Sequence, residues 1–178
     1  MAARTKGEVT RARVIETARW LVNKKGFSNT SINDIIRATG VKKGNLYFHF
    51  SSKEELGQAI LEDAATEFFQ FLSNSLQGDR PLDKLSAFFD SVLEKHRRKN
   101  FVGGCIFGNT ALEMSDSNPG FSALIRGVFR QWVDVITNLL IEARQCGELD
   151  AGISPTLLAK QIVASIEGGN HDGQINQE

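Results

Sequence analysis

The residues best suited to chemistry lie together in one short segment, Lys42-Lys43-Gly44-Asn45. Lys43 can donate hydrogen bonds to O6 and N7 of guanine, and the amide of Asn45 can pair with the edge of a base. Gly44 has no side chain, so its backbone can approach another molecule closely. Two lysines at the start of a helix are repelled by the helix dipole, which favours an anion nearby. The alternative is an ordinary solvated lysine face.

A helix-turn-helix pattern surrounds this segment. Ser31 and Asp34 have the spacing of a capping box, which predicts the start of a short helix. Gly40 follows at the position where a left-handed residue would reverse the chain. A second short helix is predicted to begin near Lys43. Because the second helix of such a motif presents its first turn to base edges in the major groove, the segment is predicted to read DNA.

Charge is distributed unevenly along the chain, which has 178 residues and no net charge. Residues 1–53 carry 11 Lys and Arg against 3 Asp and Glu, whereas residues 54–178 carry 10 against 18. A basic segment joined to an acidic remainder is typical of a small nucleic-acid reader fused to a second domain. We therefore predict a DNA-binding domain over residues 1–53 and a second domain over residues 54–178. The alternative is a basic surface that arose by chance.

The rest of the chain is predicted to be helical as well. Apolar residues recur at three- and four-residue steps, and no alternating strand pattern competes with them. The fold class is therefore predicted to be all-α, with a three-helix N-terminal domain followed by a helical domain. Outside the motif, helices are predicted over about 9–25, 82–99, 121–146 and 155–168. A further helix is predicted to run from a cap at Ser51 or Ser52 to Gly78, and another follows a loop at 103–108 and ends at residue 114.

The stretch from Thr30 to Leu56 resembles the DNA-binding signature of the tetracycline-repressor-like (TetR) family of bacterial regulators. Residues 40–56 have the spacing Gly-Val-x-x-Gly-x-Leu-Tyr-x-His-Phe-x-x-Lys-Glu-x-Leu. The resemblance covers roughly residues 10–60, and the remainder resembles only a helical ligand domain. The family commonly has Ser where Lys42 stands, so the usual cap of the third helix is missing, a departure that bears on operator preference.

The resemblance implies further contacts with DNA. Tyr47, His49 and Lys53 correspond to family positions that meet phosphates. Residues at the start of the second helix can add hydroxyl, amide and backbone N–H contacts to the DNA backbone. Tyr47 and His49 could instead be surface aromatics that pack on the first helix. Together with the base readers, the predicted DNA-binding residues are Thr30, Ser31, Asn33, Lys42, Lys43, Gly44, Asn45, Tyr47, His49 and Lys53.

The resemblance also implies a homodimer through the last two helices and a small-molecule effector. Two recognition helices must lie one DNA turn apart, about 34–36 Å, to bind a palindromic operator. The fourth helix would transmit effector binding to the DNA reader, although a polar tail after Gly168 would weaken the dimer. The predicted function is a transcriptional repressor that a small molecule releases from its operator. The alternative is an effector-independent DNA-binding architectural or adaptor protein.

An aromatic-rich interior favours an apolar or aromatic effector. Most of these rings are expected to be core residues rather than ligand contacts. Cys105 could sense oxidants, but an isolated cysteine is more often inert packing. The candidate effector-binding residues are Phe68, Phe71, Phe89, Cys105, Asn109, Glu113, Phe129 and Trp132.

Enzymes and metalloproteins fit the sequence poorly. His49, His96 and His171 are scattered, without a nucleophile, a metal-ligand spacing or a glycine-rich phosphate loop. No cofactor and no metal are therefore predicted. The sequence also lacks a run of about 20 apolar residues and an apolar block after its first basic residues, so we expect a cytoplasmic protein.

Overall fold

The computed structural model describes residues 5–98 and 104–175. Within these residues the chain forms eight α-helices and no strand, which confirms the predicted all-α fold. None of these helices is long and apolar enough to cross a membrane. The helices are α1 Lys6–Lys25, α2 Ile32–Thr39, α3 Lys43–His49, α4 Lys53–Ser75, α5 Pro81–Arg98, α6 Ile106–Met114, α7 Pro119–Gln145 and α8 Pro155–Ile175.

The helices form two compact units. The first contains the described residues up to Ala64 together with Ile106–Leu124, so α6 belongs with the helix-turn-helix. The second contains the described residues of Ala65–Cys105 and those from Ile125 onward. Helices α4 and α7 contribute residues to both units. The functional boundary after Lys53 remains a prediction.

The helix-turn-helix forms as its local signals predict. Ser31 caps α2, its hydroxyl accepts a hydrogen bond from the Asp34 amide, and the Asp34 carboxylate accepts one from the Ser31 amide. Gly40 ends α2 in the left-handed region with φ 68°. That conformation suits a residue without a Cβ, so the chain reverses tightly before α3.

Several helix ends differ from the predicted ones. Helix α6 begins at Ile106, inside the segment 103–108 that was predicted to be a loop, and α4 ends at Ser75 rather than at Gly78. Helix α1 begins at Lys6 rather than near residue 9, because Thr5 and Glu8 form a capping box that the prediction did not include.

Helix α8 continues to Ile175 instead of ending near Gly168. A glycine inside a helix costs about 1 kcal/mol relative to alanine but does not by itself end the helix. Gly168 is not among the glycines with positive φ, the conformation in which glycine commonly ends a helix.

The second unit is held together by an aromatic and aliphatic core. Phe88 and Ile136 are fully buried, and Trp132 is almost so. This core draws its residues from α4, α5, α7 and α8, and partly buried aromatics pack around it. Its buried members are Leu72, Leu85, Phe88, Trp132, Ile136, Leu139, Leu140, Ala159 and Val163.

Candidate DNA-binding surface

The N-terminal turn of α3 presents the predicted base readers to solvent. Lys42, Lys43, Gly44 and Asn45 are all exposed. The opposite side of the helix is fixed, because Leu46 and the residue that ends α3, Phe50, are both fully buried. Lys42 occupies the N-cap position without a side-chain hydrogen bond to the helix. The turn therefore offers free donor groups on a rigidly seated helix, as expected of a recognition helix.

The C-terminal turn of α3 carries three aromatic rings. Tyr47 is 42% exposed and Phe48 is 83% exposed, while His49 is half-buried. The His49 ring packs edge-on to Phe48 at a centroid distance of 5.2 Å. Phe48 was not among the predicted DNA-binding residues. The signal was present, since Phe48 lies midway between the inward positions Leu46 and Phe50 and must point away from the core.

The start of α2 provides fewer free groups than the sequence suggested. Asn33 is exposed, but the Ser31 hydroxyl is engaged in the capping box with Asp34. Hydrogen bonds from the Ser31 side chain and amide lower the pKa of the Asp34 carboxyl. Thr30 is fully buried, and its hydroxyl donates to the Gly26 carbonyl at 2.7 Å. A contact of the Thr30 side chain with DNA remains a prediction that this placement does not favour.

Lys53 also has a role within the protein. Its ammonium lies 3.4 Å from the Ser28 carbonyl and 4.4 Å from the centroid of the Phe27 ring. Both partners belong to the loop between α1 and α2, residues 26–30, which we call the α1–α2 turn. The predicted phosphate contact of Lys53 therefore competes with a hydrogen bond and a cation–π contact inside the first unit.

The junction between α3 and α4 is fixed by a carboxylate. Glu55 accepts hydrogen bonds from the amide and the hydroxyl of Ser51, and these bonds lower its pKa. The Ser52 hydroxyl accepts from the Glu55 amide, which makes Ser52 the cap of α4. Arg11 of α1 lies 5.1 Å above the Phe50 ring. These contacts hold the end of α3 between α1 and α4.

A second carboxylate, Glu113 of α6, anchors the α1–α2 turn. Its two oxygens accept hydrogen bonds from the Phe27 amide at 2.8 Å and the Ser28 amide at 2.6 Å. The Phe27 ring packs edge-on against Phe121 at 4.9 Å. From the sequence, Glu113 is predicted to be an effector-binding residue. The structure instead uses its carboxylate to hold the turn that precedes the helix-turn-helix, and its effector contact remains an untested prediction.

The pKa of Glu113 reflects this role. Burial by itself would raise the pKa of the carboxyl, but the hydrogen bonds from Ser28 and Phe27 and the nearby charge of Lys53 outweigh it. The net result is a lowered pKa, so the carboxylate form is the one that the turn stabilises. No spacing rule connects residues 85 positions apart, and nothing in the sequence alone pointed to this contact.

The aromatic candidates for effector binding form one cluster in the second unit. Trp132 lies 4.8 Å from Phe68 and 6.3 Å from Phe129, measured between ring centroids. Phe71 and Phe89 pack around the same core. The buried Nε1 of Trp132 has no hydrogen-bond partner among the described residues. Cys105 is assigned to this unit, whereas Asn109 and Glu113 belong to the first.

Comparison with known protein families decides the assignment of the chain. A family model described as "Bacterial regulatory proteins, tetR family" matches residues 14–60. A second model, "Tetracyclin repressor-like, C-terminal domain", matches residues 81–178. The chain belongs to the TetR family. The resemblance seen in residues 40–56 is thereby confirmed, and the matches extend over both the DNA reader and the helices that follow it.

Individual relatives support the assignment of this TetR-family regulator. It is 34% identical over 149 residues to the transcriptional regulator AcuR of Cereibacter sphaeroides, covering 83% of this chain and 68% of the relative. It is 28% identical over 160 residues to the transcriptional repressor DhaR of Mycobacterium sp. strain GP1, covering 89% and 79%. A crystal structure of a TetR regulator from Chloroflexus aurantiacus matches with a TM-score of 0.88 and 36% identity, covering 96% and 86%.

Membership of the family settles the broad role of the chain. TetR-family proteins are transcriptional regulators that bind DNA operators and typically dimerise. A regulatory rather than an enzymatic role follows, as the sequence analysis expected. The individual contacts with DNA and effector remain predictions.

Proposed function

We propose that the chain is a dimeric repressor that a small molecule releases from its operator. The observation that carries this proposal is the exposed Lys42-Lys43-Gly44-Asn45 turn on a helix anchored by buried Leu46 and Phe50. A major groove accepts an α-helix, and donor groups in its first turn reach base edges. The surplus of positive charge in residues 1–53 draws this surface towards DNA phosphates.

Regulation requires that binding in the second unit alters the DNA reader. Helix α4 suits this task because it is one continuous helix that begins at Lys53, directly after the α3–α4 junction, and ends at Ser75. In a dimer formed through α7 and α8, a shift of α4 would change the separation of the two α3 helices. DNA affinity falls when that separation no longer matches one helical turn.

The aromatic cluster of the second unit is the proposed effector site. Phe68, Phe129 and Trp132 supply ring faces and edges for an apolar or aromatic compound. The indole N–H of Trp132 has no partner in the part of the chain that the structure describes, which favours a compound that also carries a hydrogen-bond acceptor, since an unsatisfied buried donor is costly.

DNA binding by Lys43 can be measured directly. An operator is first obtained by selection of the purified protein on random-sequence duplexes, and its Kd is then measured by fluorescence anisotropy across a salt series. Wild-type affinity is expected to fall steeply with salt, because phosphate contacts release counterions. Lys43→Ala is expected to weaken binding about 10-fold and to relax the preference at one base pair per half-site.

A lysine outside the proposed surface provides the control. Lys84 lies on α5 in the second unit, so Lys84→Ala removes the same charge and is expected to leave Kd unchanged. The mass of the complex is expected to correspond to two chains per operator. Equal losses for both variants, or salt-independent binding, would contradict the proposed surface.

Effector response distinguishes the proposed repressor from an effector-independent DNA-binding protein. Small aromatic and aliphatic compounds are screened by thermal shift, since a ligand that binds the native state raises Tm by mass action. A compound that raises Tm is expected to weaken operator binding, and Trp132→Phe is expected to lower the affinity for it. If stabilising compounds leave operator affinity unchanged, the architectural or adaptor function is favoured.

A further inference from the structure

Phe48 is the most exposed large apolar side chain among the described residues, at 83%. Single exposed apolar residues are normal on protein surfaces. This one, however, lies on α3, next to the exposed base readers and on the most basic part of the chain. If α3 enters a groove of DNA as proposed above, a phenyl group at that position would become buried.

The geometry of α3 directs the ring towards the base-reading turn. Phe48 follows Gly44 by four residues and Asn45 by three, so all three lie on one face of the helix. Helical side chains lean towards the N-terminus, so the Phe48 side chain leaves its Cα in the direction of the turn that contains Gly44. Apart from its chain neighbours and the backbone of α3, a Cβ added at Gly44 would meet no heavy atom of the described structure within 4 Å, so no other side chain fills the space beside Gly44.

The chemistry of the ring limits what it can recognise. A phenyl group neither donates nor accepts a hydrogen bond, so it gains little from phosphates or from the polar edges of bases. The C5-methyl group of thymine is the apolar group that the major groove displays. On the basis of the proposed DNA-binding function, we propose that Phe48 recognises thymine by contacting its methyl group. The thymines would lie at positions adjacent to those contacted by Lys43 and Asn45.

The test removes the methyl group without changing base pairing. Each thymine of the operator selected by the wild-type protein is replaced in turn by deoxyuridine, and Kd is measured at fixed salt. At one or two positions per half-site, wild-type affinity is expected to fall about fourfold for each buried methyl lost. Phe48→Ala is expected to bind the thymine operator with a similar loss and to respond to none of the replacements.

Two further variants isolate the contact. Phe48→Leu keeps an apolar group and is expected to retain part of the sensitivity to the methyl. Leu112 of α6 is 81% exposed, so Leu112→Ala removes a comparable apolar side chain away from α3 and is expected to behave as wild type.

The outcomes separate this contact from DNA binding as a whole. The assignment of Phe48 is overturned if the wild-type protein binds every uracil-substituted operator equally well, or if Phe48→Ala remains as sensitive as wild type. If selection enriches no duplex at all, both the proposed function and the role of Phe48 are overturned. Circular dichroism of Phe48→Ala is expected to match wild type, since an exposed side chain contributes little to stability.

Discussion

Replacing Glu113 with alanine is expected to lower the free energy of unfolding by about 2 kcal/mol, because two hydrogen bonds to a charged acceptor are lost. The Phe27 and Ser28 amides then have no partner on α6, and the α1–α2 turn loosens. Operator affinity is expected to fall as well, since this turn leads directly into α2 and α3. Urea denaturation and fluorescence anisotropy measure the two effects.

Two companion variants separate the hydrogen bonds from the charge. Asp116 is exposed two residues after the end of α6, and Asp116→Ala removes one negative charge with an expected effect below about 0.5 kcal/mol. Glu113→Gln keeps one acceptor oxygen and is expected to lie between wild type and Glu113→Ala. Equal stability of Glu113→Ala and Asp116→Ala would show that the carboxylate does not hold the turn.

The pH dependence of the Glu113 contribution has a defined sign. Its pKa in the folded protein is lowered, so its contribution to stability is complete above the ordinary pKa of a glutamate and is lost as pH falls through the folded-state value. The stability difference between wild type and Glu113→Gln is therefore expected to be constant near neutral pH and to shrink in acid. A difference that grew on acidification would contradict the lowered pKa.

Replacing Gly57 with alanine is expected to destabilise the protein by about 2 kcal/mol, although alanine is the better helix former. A Cβ at position 57 would lie 2.5 Å from Cζ of Phe121 and 2.6 Å from Cε2 of Phe27. Both rings are buried and pack edge-on against each other. The void beside them is no larger than a water molecule and cannot take a displaced ring. Urea denaturation measures the loss.

Gly127 of α7 is the matched control for Gly57. It also lies inside a long helix, but apart from its chain neighbours and the backbone of α7, a Cβ there would meet no heavy atom of the described structure within 4 Å. Gly127→Ala is therefore expected to stabilise the protein by about 0.5–1 kcal/mol, the ordinary gain for this exchange. The two substitutions should have opposite signs, and a stabilising Gly57→Ala would show that the rings move aside.

Features controlled by neighbours within about four residues were accessible from the sequence. The Ser31–Asp34 capping box, the left-handed Gly40 and the buried Leu46 and Phe50 all follow from local hydrogen bonding and helical periodicity. The Thr5–Glu8 capping box carried the same kind of signal and was overlooked. The all-α class was equally accessible, because every segment shows the same three- and four-residue spacing of apolar side chains.

The placement of candidate site residues depended on contacts between residues that are far apart in the sequence. Glu113 accepts a hydrogen bond from the α1–α2 turn, 85 residues away in the chain. Lys53 donates a hydrogen bond to the same turn. Thr30 was predicted from its type to meet DNA, but its hydroxyl is enclosed by the turn it stabilises. A polar side chain has the same sequence signature whether it faces solvent, DNA or a buried amide.

The sequence by itself determined the all-α class, the basic N-terminal segment and the family, because these follow from local spacing and net charge. Only the tertiary structure decided that α6 belongs to the same unit as the helix-turn-helix and that Glu113 anchors the α1–α2 turn. It also decided that two aromatic rings pack against Gly57. These features arise where helices distant in the chain pack together. Such packing depends on the shape of the whole core rather than on any short stretch of residues.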